Sequence, residues 1–137
     1  MEGKKLLYEK LSYELRGVAM SVRNNYGPGC KEKIYANAFA EELSMRKIIF
    51  EREKHIGIYS CNTGKLLGSY RADFLIDDKI IIEMKAVDVI PKNFLDQLYS
   101  YLRNSKYQLG FLINFKSPKL YIKRIIHTND RKKFLFR

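Results

Sequence analysis

Apolar residues recur along the first part of the chain with the period of a helix. Leu7, Leu11, Leu15 and Val18 fall at steps of four, four and three, which predicts a helix over about residues 4–25 with one stripe turned inward. Gly27-Pro28-Gly29 ends it, since proline removes a donor and neither glycine favours a helix. A second helix is expected over about 31–46, its stripe reading Glu32, Tyr35, Phe39 and Leu43. The first member of that stripe is a carboxylate. It either favours the positive N-terminal end of the helix and reaches solvent there, or is aimed at something inside.

From Phe50 the period changes to two. Residues 50–60 alternate loosely up to the turn cluster Cys61-Asn62-Thr63-Gly64-Lys65, and further strands are expected at about 67–76 and 79–86, separated by Asp77-Asp78. Such short connections require antiparallel neighbours, so these three strands form a meander. Pro91 is expected at the first position of a third helix whose apolar face is Phe94, Leu98, Tyr101 and Leu102. Two more apolar strands follow, over 109–115 and 120–126. The order α-α-β-β-β-α-β-β reads as one α/β domain with an α+β-like mixed sheet over residues 1–126, followed by a basic tail at 127–137. A length of 137 residues and 46% hydrophobic content suit a single core and exclude disorder as the main state.

Charge narrows the function classes. Twenty-six Lys and Arg residues against 15 Asp and Glu give +11. Residues 116–137 concentrate the excess, with Lys116, Lys119, Lys123, Arg124, Arg131, Lys132, Lys133 and Arg137 against Asp130 alone. Such a field attracts polyanions, nucleic acid first among them, although the same charges suit a solubilising surface with a solvated tail. Cys30 and Cys61, with His55 and His127, have no zinc-finger spacing. No apolar run approaches 18 residues and no signal-peptide pattern opens the chain, so no membrane partner and a cytoplasmic location are expected.

The third strand carries the candidate chemistry. In Ile80-Ile81-Ile82-Glu83-Met84-Lys85-Ala86, alternation puts Glu83 and Lys85 side by side on one face of an otherwise apolar strand. Burying such a pair costs several kcal/mol per ion unless hydrogen bonds and geometry offset it. Asp73 repeats the anomaly in the preceding strand, between Ala72 and Phe74. Two carboxylates on adjacent strands repel unless a cation lies between them, and a hard divalent ion takes such oxygen ligands. The two face each other only in one register. A two-residue turn at Asp77-Asp78 pairs Asp73 with Ile82, whereas a three-residue connection pairs Ile76 with Ile80 and Asp73 with Glu83. The expectation is therefore a three-residue turn with a bulge, with Asp78 or Lys79 left-handed, or an equivalent bulge beside Asp73.

Asp73, nine intervening residues and Glu83-x-Lys85 resemble the D-x(n)-(D/E)-x-K signature of the PD-(D/E)XK nuclease superfamily, and the element order around them resembles its restriction-endonuclease-like core. Gly29-Cys30-Lys31-Glu32-Lys33-Ile34-Tyr35 reads as the G-x-x-E-x-x-Y motif of the GxxExxY family within it. Tyr70-Arg71-Ala72-Asp73-Phe74, Gln97 through Tyr101 and Leu112-Ile113-Asn114-Phe115 are similar to that family's pattern, so the resemblance spans roughly residues 15–126. The proline of the superfamily's name is Ala72 here.

The resemblance implies a metal-dependent nuclease hydrolysing phosphodiester bonds of DNA. Asp73, Glu83 and the backbone carbonyl of Met84 would hold Mg2+ or Mn2+, and Glu32 would complete the site directly or through water. Lys85 would orient and help activate the attacking water and stabilise charge in the transition state. Gln97 would support Lys85 or contact the substrate, or else cap a local backbone group. Lys116, Lys119, Lys123, Arg124, Arg131, Lys132 and Lys133 are expected to contact nucleic acid, DNA ahead of RNA. A catalytically idle nucleic-acid-binding module and a subunit of a larger nucleic-acid-processing complex are the alternatives, and a homodimer is compatible with either. His55 and Cys30 lack partners for catalysis, and Tyr35 is read as a packing residue whose hydroxyl is available to Glu32.

Overall fold

The structure, a computed structural model, describes residues 6–132. Helices α1 (Glu9–Tyr26) and α2 (Glu32–Met45) precede strands β1 (Phe50–Tyr59), β2 (Leu66–Ile76) and β3 (Ile80–Lys85); helix α3 (Lys92–Arg103) then leads to β4 (Leu109–Asn114) and β5 (Tyr121–Ile126). The five strands form one sheet in chain order. β1, β2 and β3 are the antiparallel meander, β4 runs parallel to β3 through the α3 crossover, and β5 closes antiparallel on β4. This is a mixed α/β fold consistent with a restriction-endonuclease-like core.

Each face of the sheet buries one helical layer. Leu15, Val18 and Val22 of α1 and Tyr35, Phe39 and Leu43 of α2 pack on Phe74, Ile76, Ile80, Ile82 and Met84. On the other face Leu98 and Leu102 of α3 pack on Leu75, Ile81 and Leu112. β3 and β4 lie between both layers, which is why they read as continuous apolar runs rather than as alternating ones.

Two boundaries differ from expectation. α1 begins at Glu9 rather than near Lys4, because Tyr8 takes a left-handed conformation (φ 52°) ahead of the first turn; the first part of the expected helix, residues 4 and 5, lies outside the described residues. Pro91 is not the first helical residue. Its ψ of 145° is extended, and its carbonyl accepts from the Phe94 N–H at 3.1 Å, so it stands one position earlier and starts the ladder.

Residues 127–132 do not trail away from the domain. The His127 N–H donates to the Gln108 carbonyl at 2.8 Å, a 3₁₀ turn spans Asn129–Arg131, and Lys132 is buried.

Candidate active site

The hairpin between β2 and β3 sets the register. Ile76 pairs with Ile80, Leu75 with Ile81 and Phe74 with Ile82, around the three-residue connection Asp77-Asp78-Lys79. Asp77 and Asp78 both sit at φ 51°, a conformation that aspartate tolerates because its short side chain bonds locally. The Lys79 N–H closes the turn on the Ile76 carbonyl at 2.9 Å, and the Tyr107 hydroxyl holds Asp78 at 2.7 Å. The expected three-residue connection is present, with Asp77 left-handed beside Asp78.

Beyond Phe74 and Ile82 the two strands part. Asp73 then supplies with its side chain what the ladder no longer supplies: its Oδ2 accepts from the Met84 N–H at 2.7 Å. The alternation of β2 slips at this residue. Tyr70 and Ala72 face α3, whereas Phe74 and Ile76 face α1 and α2. β1 bends with it, since Glu53, at φ 51°, lies opposite Asp73 between the pairs Arg52–Phe74 and Lys54–Ala72, and its carboxylate reaches Arg71 at 3.0 Å. A shared kink across two strands thus turns Asp73 toward Glu83.

A cavity of about 230 Å³ opens at this fork, lined by Tyr70, Arg71, Asp73, Glu83, Lys85, Phe94, Gln97 and Tyr101 with Leu98 and Leu112 beneath. Burial first, and then the facing Asp73 carboxylate, push the Glu83 carboxyl up to about 9. Among the described residues neither Asp73 nor Glu83 has an ion-pair partner. Lys85, two residues along β3 from Glu83, holds its Nζ 4.5 Å from the centre of the Phe94 ring. Two half-buried carboxyl groups facing each other, with no sulfur or imidazole lining the cavity among the described residues, fit a hard divalent cation.

Glu32 stands apart from that pair. As the first residue of α2 it is exposed and does not line the cavity, yet Asp73 and Lys85 act on its carboxyl, which desolvation and then Asp73 raise. Among the described residues no three acidic, histidine or cysteine side chains gather as a ready-made ion cage. Glu32, expected to complete the site directly or through water, stands outside the cavity that Asp73 and Glu83 line.

The Tyr35 hydroxyl does not bond Glu32 either. It donates to the Gly27 carbonyl and accepts from the Cys30 N–H at 3.1 Å, while its fully buried ring stacks on Phe115 at 4.6 Å. The glycine-containing turn before α2 is thereby tied to the first turn of the same helix. That tie fixes the end of α2 on which Glu32 is carried.

Two residues near the site had no role assigned from the sequence. Asn114, buried at the end of β4 beside Lys85, donates to the Val87 carbonyl at 2.8 Å and accepts from the Val87 N–H at 3.1 Å. It pins the chain as it leaves β3, just past Lys85; its signal was a lone amide ending an otherwise apolar strand. Tyr70 stacks on Tyr101 with ring centres 3.5 Å apart, and its buried hydroxyl has no partner among the described residues. Burial and the Glu83 charge push that phenol up, and Tyr101 shifts the same way for the same two causes. Gln97 is exposed on the α3 rim of the cavity, one turn before Tyr101.

The basic residues are dispersed rather than gathered. Lys116 pairs with Asp88 at 3.3 Å, Lys119 is exposed before β5, and Lys123 is exposed on it. Arg124, the neighbour of Lys123, takes the opposite face of β5 and donates to the Leu7 carbonyl at 3.5 Å. Arg131 is exposed, whereas the Lys132 ammonium is buried on the Ser105 and Tyr107 carbonyls at 2.6 and 2.8 Å. These two internal bonds fix the place of the ammonium. Lys133 lies outside the described residues.

Comparison with known proteins agrees with this geometry. No curated protein matches the chain. A family model of the PD-(D/E)XK nuclease superfamily matches residues 9–125, from the start of α1 almost to the end of β5 and across every residue that lines the cavity. The chain, a mixed-sheet domain with Asp73, Glu83 and Lys85 at the fork of its central strands, belongs to the PD-(D/E)XK nuclease superfamily.

Proposed function

We propose that the protein is a Mg2+- or Mn2+-dependent nuclease of the GxxExxY branch that hydrolyses phosphodiester bonds of DNA. The observation that carries this reading is the convergence of Asp73 and Glu83, each without a cationic partner among the described residues, on a cavity that also contains Lys85. Asp73, Glu83 and the Met84 carbonyl are the groups that would hold the ion. When bound, the ion polarises the scissile phosphate and lowers the pKa of water toward neutrality.

The chain's own residues do the remaining work. Asp73 is fixed by its bond from the Met84 N–H, so one of its oxygens is oriented before any ligand arrives. Lys85 orients the attacking water and stabilises charge developing on the phosphate, which a preorganised cation does at little reorganisation cost. Phe94 limits where that ammonium can go. Gln97 contacts the substrate at the rim, and Tyr70 and Tyr101 exclude solvent from the α3 side. Glu32 holds water at the edge of the site. Lys119, Lys123 and Arg131, exposed outside it, attract the backbone.

The test is a cleavage assay with plasmid, branched DNA, single-stranded DNA and RNA, in magnesium or manganese, with and without EDTA. Cleavage of DNA that stops with chelator and is absent in Asp73→Asn is the expected result. DNA left intact under every ionic condition, with binding retained, overturns catalysis and favours an idle binding module.

A further inference from the structure

A second concavity, of about 390 Å³, lies on the other flank of α3. Gln97 and Tyr101 line the carboxylate cavity, while Tyr99 and Arg103 line this one. The two pairs are offset by two residues, roughly 200° around the helix, with Leu98 and Leu102 buried between them. Its walls come from separate parts of the chain: the last turn of α3, the Cys61 turn after β1, and the segment after β5.

The charge gathered there has one sign. Arg103 and Arg131 are exposed at the rim, and neither has an ion-pair partner among the described residues. Lys132 adds a buried ammonium whose place is fixed by the carbonyls of Ser105 and Tyr107. His127, 5% exposed, sits among them with its Nδ1 3.0 Å from the Tyr99 hydroxyl. Burial, Arg131, Lys132 and Arg103 all lower its pKa, while Asp130 alone acts the other way. Arg103, Arg131 and Lys132 thus all stand close enough to act on one imidazole. No acidic side chain lines the concavity among the described residues. The C-terminal end of α3 disfavours an anion by its dipole, and Arg103 on that last turn offsets it.

We propose that this concavity binds a phosphate group, and that the phosphate belongs to the backbone of the nucleic acid held at the Asp73–Glu83 cavity. Guanidinium groups recognise phosphate through paired N–H donors, and like charges in a concave site focus the field on such an anion. The source of the phosphate rests on the nuclease reading; the chemistry of the site does not. A polymer lying across α3 meets both flanks of the helix, whereas a free phosphate meets one.

The test uses the full chain in EDTA, where no cleavage is required. Inorganic phosphate at matched ionic strength should shift the His127 imidazole resonances saturably in wild type and not in the double variant Arg103→Gln/Arg131→Gln. Both substitutions are at exposed positions, so the core is untouched. A labelled DNA duplex should compete with phosphate at His127. The double variant should bind that duplex about tenfold more weakly, and its log–log salt dependence should flatten by roughly 0.9 for each phosphate it no longer neutralises. Resonances unmoved by phosphate, or moved equally in the double variant, overturn the site. A phosphate shift that the duplex does not compete with, together with unchanged duplex affinity in the double variant, overturns the assignment to backbone. Binding as described in a protein that never cleaves overturns the nuclease reading alone.

Discussion

The Asp73 carboxylate caps the backbone N–H of Met84 at 2.7 Å, at the point where β2 and β3 stop pairing. One oxygen of a candidate metal ligand is therefore also a structural acceptor, replacing a sheet hydrogen bond in the middle of the molecule. Removing the charge and removing the acceptor are separable changes, and they have different consequences.

Asp73→Asn keeps an acceptor for Met84 while removing the carboxylate charge beside Glu83; Asp73→Ala leaves the N–H of a buried residue unpaired. In metal-free buffer the Asn variant should be more stable than the Ala variant by about 1–3 kcal/mol, the cost of an unsatisfied buried donor. Urea unfolding measures the difference. Both variants should be inactive in cleavage. Equal stabilities would mean that water replaces the Asp73 oxygen at no cost.

Glu83 makes the metal-free protein sensitive to pH. Its carboxyl is raised from an ordinary 4.5 to about 9 in the folded state, by burial first and Asp73 second. Between those values the folded protein keeps a proton that the unfolded chain has released. Stability in EDTA should therefore fall as pH rises from about 4.5 to about 9. Glu83→Gln should remove most of that slope, leaving the smaller contribution of Glu32, which has the same sign. Thermal melts across this range read the effect. An unchanged slope in the variant would mean that Glu83 is ionised in the folded protein.

Lys85→Ala should lower the cleavage rate by about 10²–10³, the usual cost of losing one preorganised charge-stabilising group. Duplex affinity should change little, since only one cation among many is removed. Single-turnover cleavage and anisotropy separate the two. A parallel loss of binding and cleavage would make Lys85 a substrate-binding residue instead.

The sheet was legible because its strands obey simple periods and its hairpin has one register that brings two carboxylates together. The turn itself was only half legible. Asp78 or Lys79 is expected at the left-handed position; Asp78 takes it, Lys79 does not, and Asp77 joins Asp78 under the bond from the Lys79 N–H to the Ile76 carbonyl. The kink at Asp73 involves Glu53, on another strand, and no local pattern in residues 50–60 announces a positive φ at a glutamate. Tyr35 shows the same limit. Spacing placed it in the core, yet its hydroxyl partners, Gly27 and Cys30, follow from how the turn folds back over α2. Charge was the least legible feature: the run of cations after Phe115 reads as a uniform basic surface, whereas the fold sends Arg124 to one face, buries Lys132 and pairs Lys116 with Asp88.

The central claim is that Asp73 and Glu83 together hold a divalent cation. Its most direct measurement is Mn2+ binding to the metal-free protein, followed by water proton relaxation at about pH 7.5, near the working range of a metal-bound water, and checked by the melting temperature. Wild type should bind saturably and gain about 2.7 kcal/mol of stability at a hundredfold excess over Kd. Asp73→Asn and Glu83→Gln should each lose both effects, while Lys85→Ala keeps them. Saturable binding that persists in both carboxylate variants, or a wild-type protein whose relaxation and melting temperature ignore millimolar Mn2+, would contradict the account.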